Sequence, residues 1–185
     1  MGINPITTTG YPAWRTAKAN QNKSSSAEFE QQKNMVKVQK QAPKTHTVYL
    51  KTDDMIYSGG NGTGLSFYIK YTPESTEEDP IVKAKGVDED GNEFERTIHI
   101  NQINPRNATL VEMRALEAHL GVDKKDGLSS LPMCYGDMGL NDRKNFMDAF
   151  RRQIQDMKVL KQQQLVSYYT YSMRMYQNFI DRDKL

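Results

Sequence analysis

The sequence predicts an α+β fold: a small antiparallel sheet with a short packed helix, a long C-terminal helix and a mostly disordered N-terminal arm. Three observations predict it. Leu65-Ser66-Phe67-Tyr68-Ile69-Lys70-Tyr71 puts Leu65, Phe67, Ile69 and Tyr71 on one face, the period of a strand with one buried side. Thr109 to Gly121 carries both the start and the stop signals of a single helix. From Asn141 onward there is neither Gly nor Pro, and apolar residues recur at mostly three- and four-residue steps. The chain divides accordingly into an arm (1–44), a core (45–138) and a helical C-terminal part (139–185).

The arm comes first. The run KANQNKSSSAEFEQQKNMVKVQKQAPK is rich in Gln, Asn, Lys and Ser and has no sustained period. Such a segment cannot bury enough apolar surface to offset its ordering entropy. Two islands interrupt it. Tyr11-Pro12-Ala13-Trp14 holds the single tryptophan, and Phe29, Met35, Val36 and Val38 make a thin second patch.

The core holds the strands. His46–Leu50 and Asp54–Tyr57 read as short strands ahead of Leu65–Tyr71. Ile81–Val87 and Glu93–Ile100 flank Asp88-Glu89-Asp90-Gly91-Asn92, where Asp-Gly supplies the positive φ of a hairpin turn. A sheet of about four strands follows. Ser58-Gly59-Gly60-Asn61-Gly62-Thr63-Gly64 reads as a mobile loop between two of them. After Pro105, Thr109 and Glu112 have capping-box spacing. Leu110, Met113, Leu116 and Leu120 form one apolar stripe, and Gly121 stands where a left-handed C-cap belongs. That helix, about 109–120, is expected to cover the Leu65/Phe67/Ile69 face.

In the C-terminal part, Asn141 is the expected N-cap. A continuous helix of some 40 residues would run about 60 Å at 1.5 Å per residue. The core is only about 25–30 Å across. The helix must therefore overhang, break, or pair with something. Its distal half is crowded with Tyr168, Tyr169, Tyr171, Met173, Met175, Tyr176 and Phe179. Tyr and Met favour interfaces. Phe146, Phe150, Leu165, Tyr169, Tyr176 and Phe179 are the expected contact residues, meeting either this chain or another.

Composition narrows the chemistry. A hydrophobic share of 37% and a mean hydropathy of −0.77 are low for a compact globule, so part of the chain is not core. The single cysteine, Cys134, rules out an intrachain disulfide framework and a CxxC zinc pair. No apolar run approaches the roughly 18 residues of a membrane span. No secretory signal is expected at MGINPITTTG, and the expected compartment is the cytoplasm. Residues 1–45 carry seven basic and two acidic residues (+5), and residues 141–185 nine and five (+4); the net charge of +2 leaves −7 for residues 46–140. Basic ends that cancel an acidic centre explain this better than an anionic partner. Nucleic acid is disfavoured too: Asp142, Asp148 and Asp156 interrupt the basic helix, and no recognised binding motif is present.

Three constellations invite a reading as chemistry. The loop Gly59–Gly64 resembles a phosphate cradle, but a strand follows where a helix N-terminus is needed. Asp88–Glu93 has the acidity of a calcium loop but the wrong glycine spacing. Cys134, His119 and Asp137 could form nucleophile, base and orienter, yet the residues around Cys134 match no thiol-enzyme pattern. His46 and His99 sit in strand-like runs without metal spacing. No enzyme, cofactor or metal is therefore expected.

Gly86-Val87-Asp88-Glu89-Asp90-Gly91-Asn92-Glu93-Phe94-Glu95, Ile98 through Thr109, Glu112-Met113 and Ala115-Leu116, with the early Gly10-Tyr11-Pro12, resemble an uncharacterised family of hypothetical proteins from Gram-positive anaerobic bacteria. The resemblance implies a bacterial source and brings no functional residues. The reading that results is a non-enzymatic interaction or structural protein that self-associates or binds a protein partner through its C-terminal helix. One alternative is a small-ligand or catalytic domain built on the Gly59–Gly64 loop. A lesser one is an exported substrate with an unfolded N-terminus.

Overall fold

The computed structural model describes residues 47–122 and 128–182. The expected arm, its Trp14 and the exported-substrate alternative built on it lie outside the described residues.

Strands β1 (Tyr57–Gly60), β2 (Ser66–Tyr71), β3 (Ile81–Val87) and β4 (Glu93–His99) form an antiparallel meander in that spatial order. The register sets Tyr57 against Ile69, Ile69 against Ala84, and Val82 against Ile98. Tyr57, Phe67, Ile69, Val82, Ala84 and Ile98 thus share one buried face. Gly86 lies on the same face opposite Phe67, and a Cβ there would come within 2.1 Å of the Ser66 carbonyl oxygen. The tip of the second hairpin closes as its sequence requires. Asp88 N–H donates to Asn92 O at 2.9 Å, Asp88 Oδ1 accepts from the N–H groups of Asp90 and Asn92, and Gly91 takes φ 86°.

The first strand begins later than its sequence suggests. A turn closed by Met55 N–H to Thr52 O at 3.0 Å interrupts the Asp54–Tyr57 run, and pairing starts only with Ile56 N–H to Ile69 O at 2.9 Å. Thr47–Leu50 is no strand; it is an irregular strap. Gly59 and Gly60, expected in a loop, belong to β1.

Helix α1 (Leu110–Leu120) has the expected caps. Thr109 Oγ1 accepts from Glu112 N–H at 3.2 Å, Glu112 Oε2 accepts from Thr109 N–H at 2.8 Å, and Gly121 is left-handed at φ 59°. Leu110, Met113 and Leu116 join Leu65, Phe67 and Ile69 in one hydrophobic cluster. Each such side chain contributes about 1.5–3 kcal/mol by leaving water.

The long C-terminal helix is broken. Short strands β5 (Ala108–Thr109) and β6 (Arg143–Lys144) pair, and Phe146 N–H donates to Pro105 O at 3.0 Å. The helix therefore starts with Asn145 as its N-cap, whose Oδ1 accepts from Asp148 N–H at 3.1 Å, rather than with Asn141. Helix α2 (Phe146–Val159) ends in a Schellman turn. Lys161 N–H donates to Lys158 O at 3.0 Å, Gln162 N–H donates to Met157 O at 2.9 Å, and Lys161 itself is left-handed at φ 57°. Helix α3 (Gln163–Arg182) then folds back on α2, with Phe150 and Tyr176 rings 5.6 Å apart. Among the described residues no helix is long and apolar enough to cross a membrane.

Candidate functional site

The expected contact stripe faces inward. Phe146, Phe150, Tyr169, Tyr176 and Phe179 are buried in this chain's own core, and Leu165 is half-buried against it. The hairpin of α2 and α3 brings both halves of the stripe onto the layer that already carries Leu116 and Met138. A single rod could not have done so over so small a core.

The glycine-rich loop is pinned rather than mobile. Asn61 Nδ2 donates to Tyr135 O at 3.0 Å and to Met138 O at 2.7 Å. Asn61 Oδ1 accepts from Thr63 N–H at 3.2 Å and from Thr63 Oγ1–H at 2.7 Å. Asn61 N–H donates to Leu65 O, and Gly64 N–H to Asn61 O. From the neighbouring hairpin tip, Glu89 Oε2 accepts from Leu140 N–H at 2.9 Å. The two tips thus grip the 135–140 segment from one end of the sheet. The N–H groups of Asn61, Thr63, Gly64 and Leu65 and the Asn61 carboxamide are thus engaged inside the fold.

The supposed triad has separate partners. His119 Nδ1 lies 2.9 Å from Tyr71 Oη, and burial, then the charge of Arg182, pulls its pKa below the usual value. Asp137 pairs with Lys144 at 2.9 Å, which lowers its carboxyl pKa. Burial pushes the Cys134 thiol up, away from the thiolate a nucleophile needs. Among the described residues no three His, Cys, Asp or Glu side chains group as metal ligands.

Sequence reasoning missed a buried charged cluster. Arg114 and Glu117 are 6% and 1% exposed. Arg114 Nη1 donates to Glu117 Oε2 at 2.6 Å and to Ser129 Oγ at 3.0 Å. Its guanidinium lies 4.6 Å from the Tyr135 ring centroid and 5.5 Å from that of Tyr57. Ser130 Oγ donates to Glu117 Oε1 and lies 3.1 Å from Tyr176 Oη. Burial lowers the Arg114 pKa, and the neighbouring Tyr57 and Glu117 outweigh it, so the cation persists. Burial likewise raises the Tyr176 phenol far above its usual range. The cluster ties α1 to the 129–135 segment and to α3. Its one sequence signal is i,i+3 spacing on the side of α1 opposite Glu112, and that pattern ordinarily marks a solvated pair.

What remains open is the outer face of the sheet. Tyr68, Lys70, Lys83, Lys85, Glu93, Glu95, Thr97 and His99 project from it by register. Only the Thr47–Leu50 strap crosses it among the described residues: Ser58 Oγ donates to Tyr49 O, and the Tyr49 ring meets Tyr68 edge-on at 5.2 Å. Beside Tyr49 lies a shallow basin of about 430 Å³ bordered by Tyr68, Lys85, Glu93 and Glu95. Lys83 and Lys85 clasp Glu95 at 2.7 and 2.6 Å and hold its carboxyl pKa below the usual range. Lys70 pairs with Asp54 and stands 5.5 Å above the Tyr68 ring. The face is aromatic at its centre and charged of both signs around it; Ser66 and Val87, at the hairpin-tip end, are buried, whereas Glu93, Glu95 and Thr97 are exposed.

Compared with known proteins, the chain matches no family model, no curated protein and no solved structure.

Proposed function

We propose that this chain is a non-enzymatic interaction protein of the cytoplasm that acts by contact with protein, a partner or a second copy, across its open sheet face. One observation carries the reading. The inner face of the sheet lies against the core, with Phe67, Ile69, Val82 and Ala84 fully buried, whereas the outer face presents Tyr68, Lys83, Lys85 and Glu95 beneath nothing but the strap among the described residues. Tyrosines rimmed by paired charges suit a protein surface better than a small molecule, because the basin is bordered by the charged side chains of Lys85, Glu93 and Glu95 rather than by a continuous apolar wall. The C-terminal helices serve this face indirectly, by closing the core behind it. The lone half-buried thiol fits a reducing compartment.

The test is site-specific photo-cross-linking in the native cell. A photoreactive residue replaces Lys83 on the open face or, as control, Arg151 on α2. The expected outcome is a discrete covalent adduct at position 83, identified by mass spectrometry, that Tyr68→Ala abolishes and position 151 does not give. No adduct at position 83, or the same products at both positions, would sink the reading.

A further inference from the structure

One rim of this sheet, β4, carries unpaired backbone groups among the described residues. The argument starts from which backbone groups of β4 are used. Asp88 N–H donates to Asn92 O and Ile100 N–H to Pro80 O, each at 2.9 Å. These bonds bracket the β3–β4 register, in which Val82, Ala84 and Gly86 face Ile98, Arg96 and Phe94. Antiparallel ladders alternate bonded and non-bonded pairs. Phe94, Arg96 and Ile98 therefore spend their N–H and C=O groups on β3. Glu93, Glu95, Thr97 and His99 point theirs away from the sheet, and among the described residues these groups have no backbone partner. A row of free donors and acceptors on a seven-residue edge is a template for another strand. The opposite edge, β1, has four residues, and Ser58 there is already tied to the strap.

The side chains select the occupant. An added antiparallel copy of β4 must keep the inner faces on one side, which allows a two-fold axis through a residue and forbids one between residues. Through Glu95, the axis sets Glu95 against its own copy; through Arg96, it sets two guanidinium groups together. Like charges directly opposite destabilise a sheet. Through Thr97, it pairs Thr97 with Thr97 and Glu95 with His99 twice over, both favourable cross-strand combinations. Each of these pairs is built from outward-pointing residues, so each exchanges both backbone bonds. The wider surroundings agree. Lys83 and Lys85 flank Glu95, and Asp79 lies 3.4 Å from His99, so each half of the edge meets a half of opposite character. A net charge of +2 opposes the approach of two copies only weakly.

We infer that β4 is a homodimer edge: two copies join antiparallel about Thr97 into one continuous sheet with all helices on one side. The inference rests on the interaction reading above and names a second copy as a partner.

The test is light scattering behind size exclusion on the full chain over a dilution series, with two variants. Thr97→Pro removes the central outward N–H and leaves the β3 ladder intact, a substitution that edge strands tolerate. In a Cys134→Ser background, Thr97→Cys sets two thiols on residues about 5.5 Å apart at Cα, inside the disulfide range. The expected result is a doubled mass that Thr97→Pro returns to the monomer value with unchanged circular dichroism, and a disulfide dimer from Thr97→Cys but not from Glu95→Cys. A monomer at every concentration, a dimer indifferent to Thr97→Pro, or equal cross-linking from both cysteine positions overturns it. Should it fall while position 83 still yields an adduct to a different protein, the interaction reading stands without the dimer.

Discussion

Glu117→Gln is the sharpest probe of how this core is held. The substitution keeps the shape of the side chain and removes its charge. In the structure that charge sits 2.6 Å from Arg114 Nη1, with both residues buried and Arg114 Nε already lacking a hydrogen-bond partner. The guanidinium cannot shed its charge at neutral pH, and it has no path to water without opening the joint between α1 and α3. Breaking a buried pair by removing one member costs about 3–5 kcal/mol. The Tyr57 and Tyr135 rings still stabilise the cation and the carboxamide still accepts hydrogen bonds, so the low end, about 3 kcal/mol, is expected. For a domain of this size each kcal/mol moves the melting temperature by about 2–4 °C, hence a drop of about 6–12 °C.

The companion variant makes the reasoning refutable. Arg114→Met with Glu117→Leu replaces the pair by apolar volume, and such replacements are neutral or stabilising when well packed. Urea unfolding followed by far-UV circular dichroism should place the double variant within about 1 kcal/mol of the parent. With the single variants Arg114→Met and Glu117→Leu, a double-mutant cycle then reads the coupling directly. If Glu117→Gln costs under about 1 kcal/mol, the pair is solvated and the joint is open. If the double variant is as unstable as the single one, the cost comes from lost packing and the electrostatic account fails.

Three further outcomes follow from individual contacts. Asn61→Ala removes one of two donors from each of the Tyr135 and Met138 carbonyls, leaving Met138 N–H and Thr63 Oγ1, and should cost about 1–2 kcal/mol in urea unfolding, with faster proteolysis within 133–139. Lys161→Gly relieves a left-handed residue whose strain is about 1–2 kcal/mol, against about 0.5–1 kcal/mol of added chain entropy, so it should raise the urea midpoint slightly while Lys161→Val lowers it. The folded state depresses the His119 pKa, so its neutral form stabilises above the ordinary value of about 6.5 and that contribution is lost as pH falls toward the lower folded pKa; His119→Gln should flatten the stability curve in that acid window, and an unchanged slope would refute the assignment.

Legibility in the sequence followed locality. The Thr109–Gly121 helix could be read because cap, stripe and stop signal all lie within one short stretch. The Asp88–Asn92 hairpin could be read because Asp-Gly leaves the chain few other turns. The first strand was misplaced because Asp54-Met55-Ile56-Tyr57 has strand composition, and only the distant register with β2 shows that pairing begins at the end of that run. The contact stripe of α2 and α3 was found correctly as apolar, but its destination is a tertiary fact. The buried Arg114–Glu117 pair was illegible for the same reason: Ser129, Ser130 and Tyr176 supply its polar shell from far along the chain.

The break in the long helix shows how small a local signal can decide an architecture. A Schellman turn ordinarily announces itself with glycine at its left-handed position. Here that position is Lys161, a residue that otherwise favours helix, so of the three outcomes the length allows, overhang, break or pairing, nothing local marks the break or its place. Strain at one residue is small beside what the break gains. It lets Tyr169, Tyr176 and Phe179 fold back over Phe146, Phe150 and Ile154, six side chains each contributing about 1.5–3 kcal/mol on burial. The apolar surface that the sequence leaves free to meet either this chain or another is thereby buried inside this one. The face and the edge of the sheet stay outside that burial, where Tyr68, Glu95, Thr97 and His99 keep their side chains or backbone groups toward solvent.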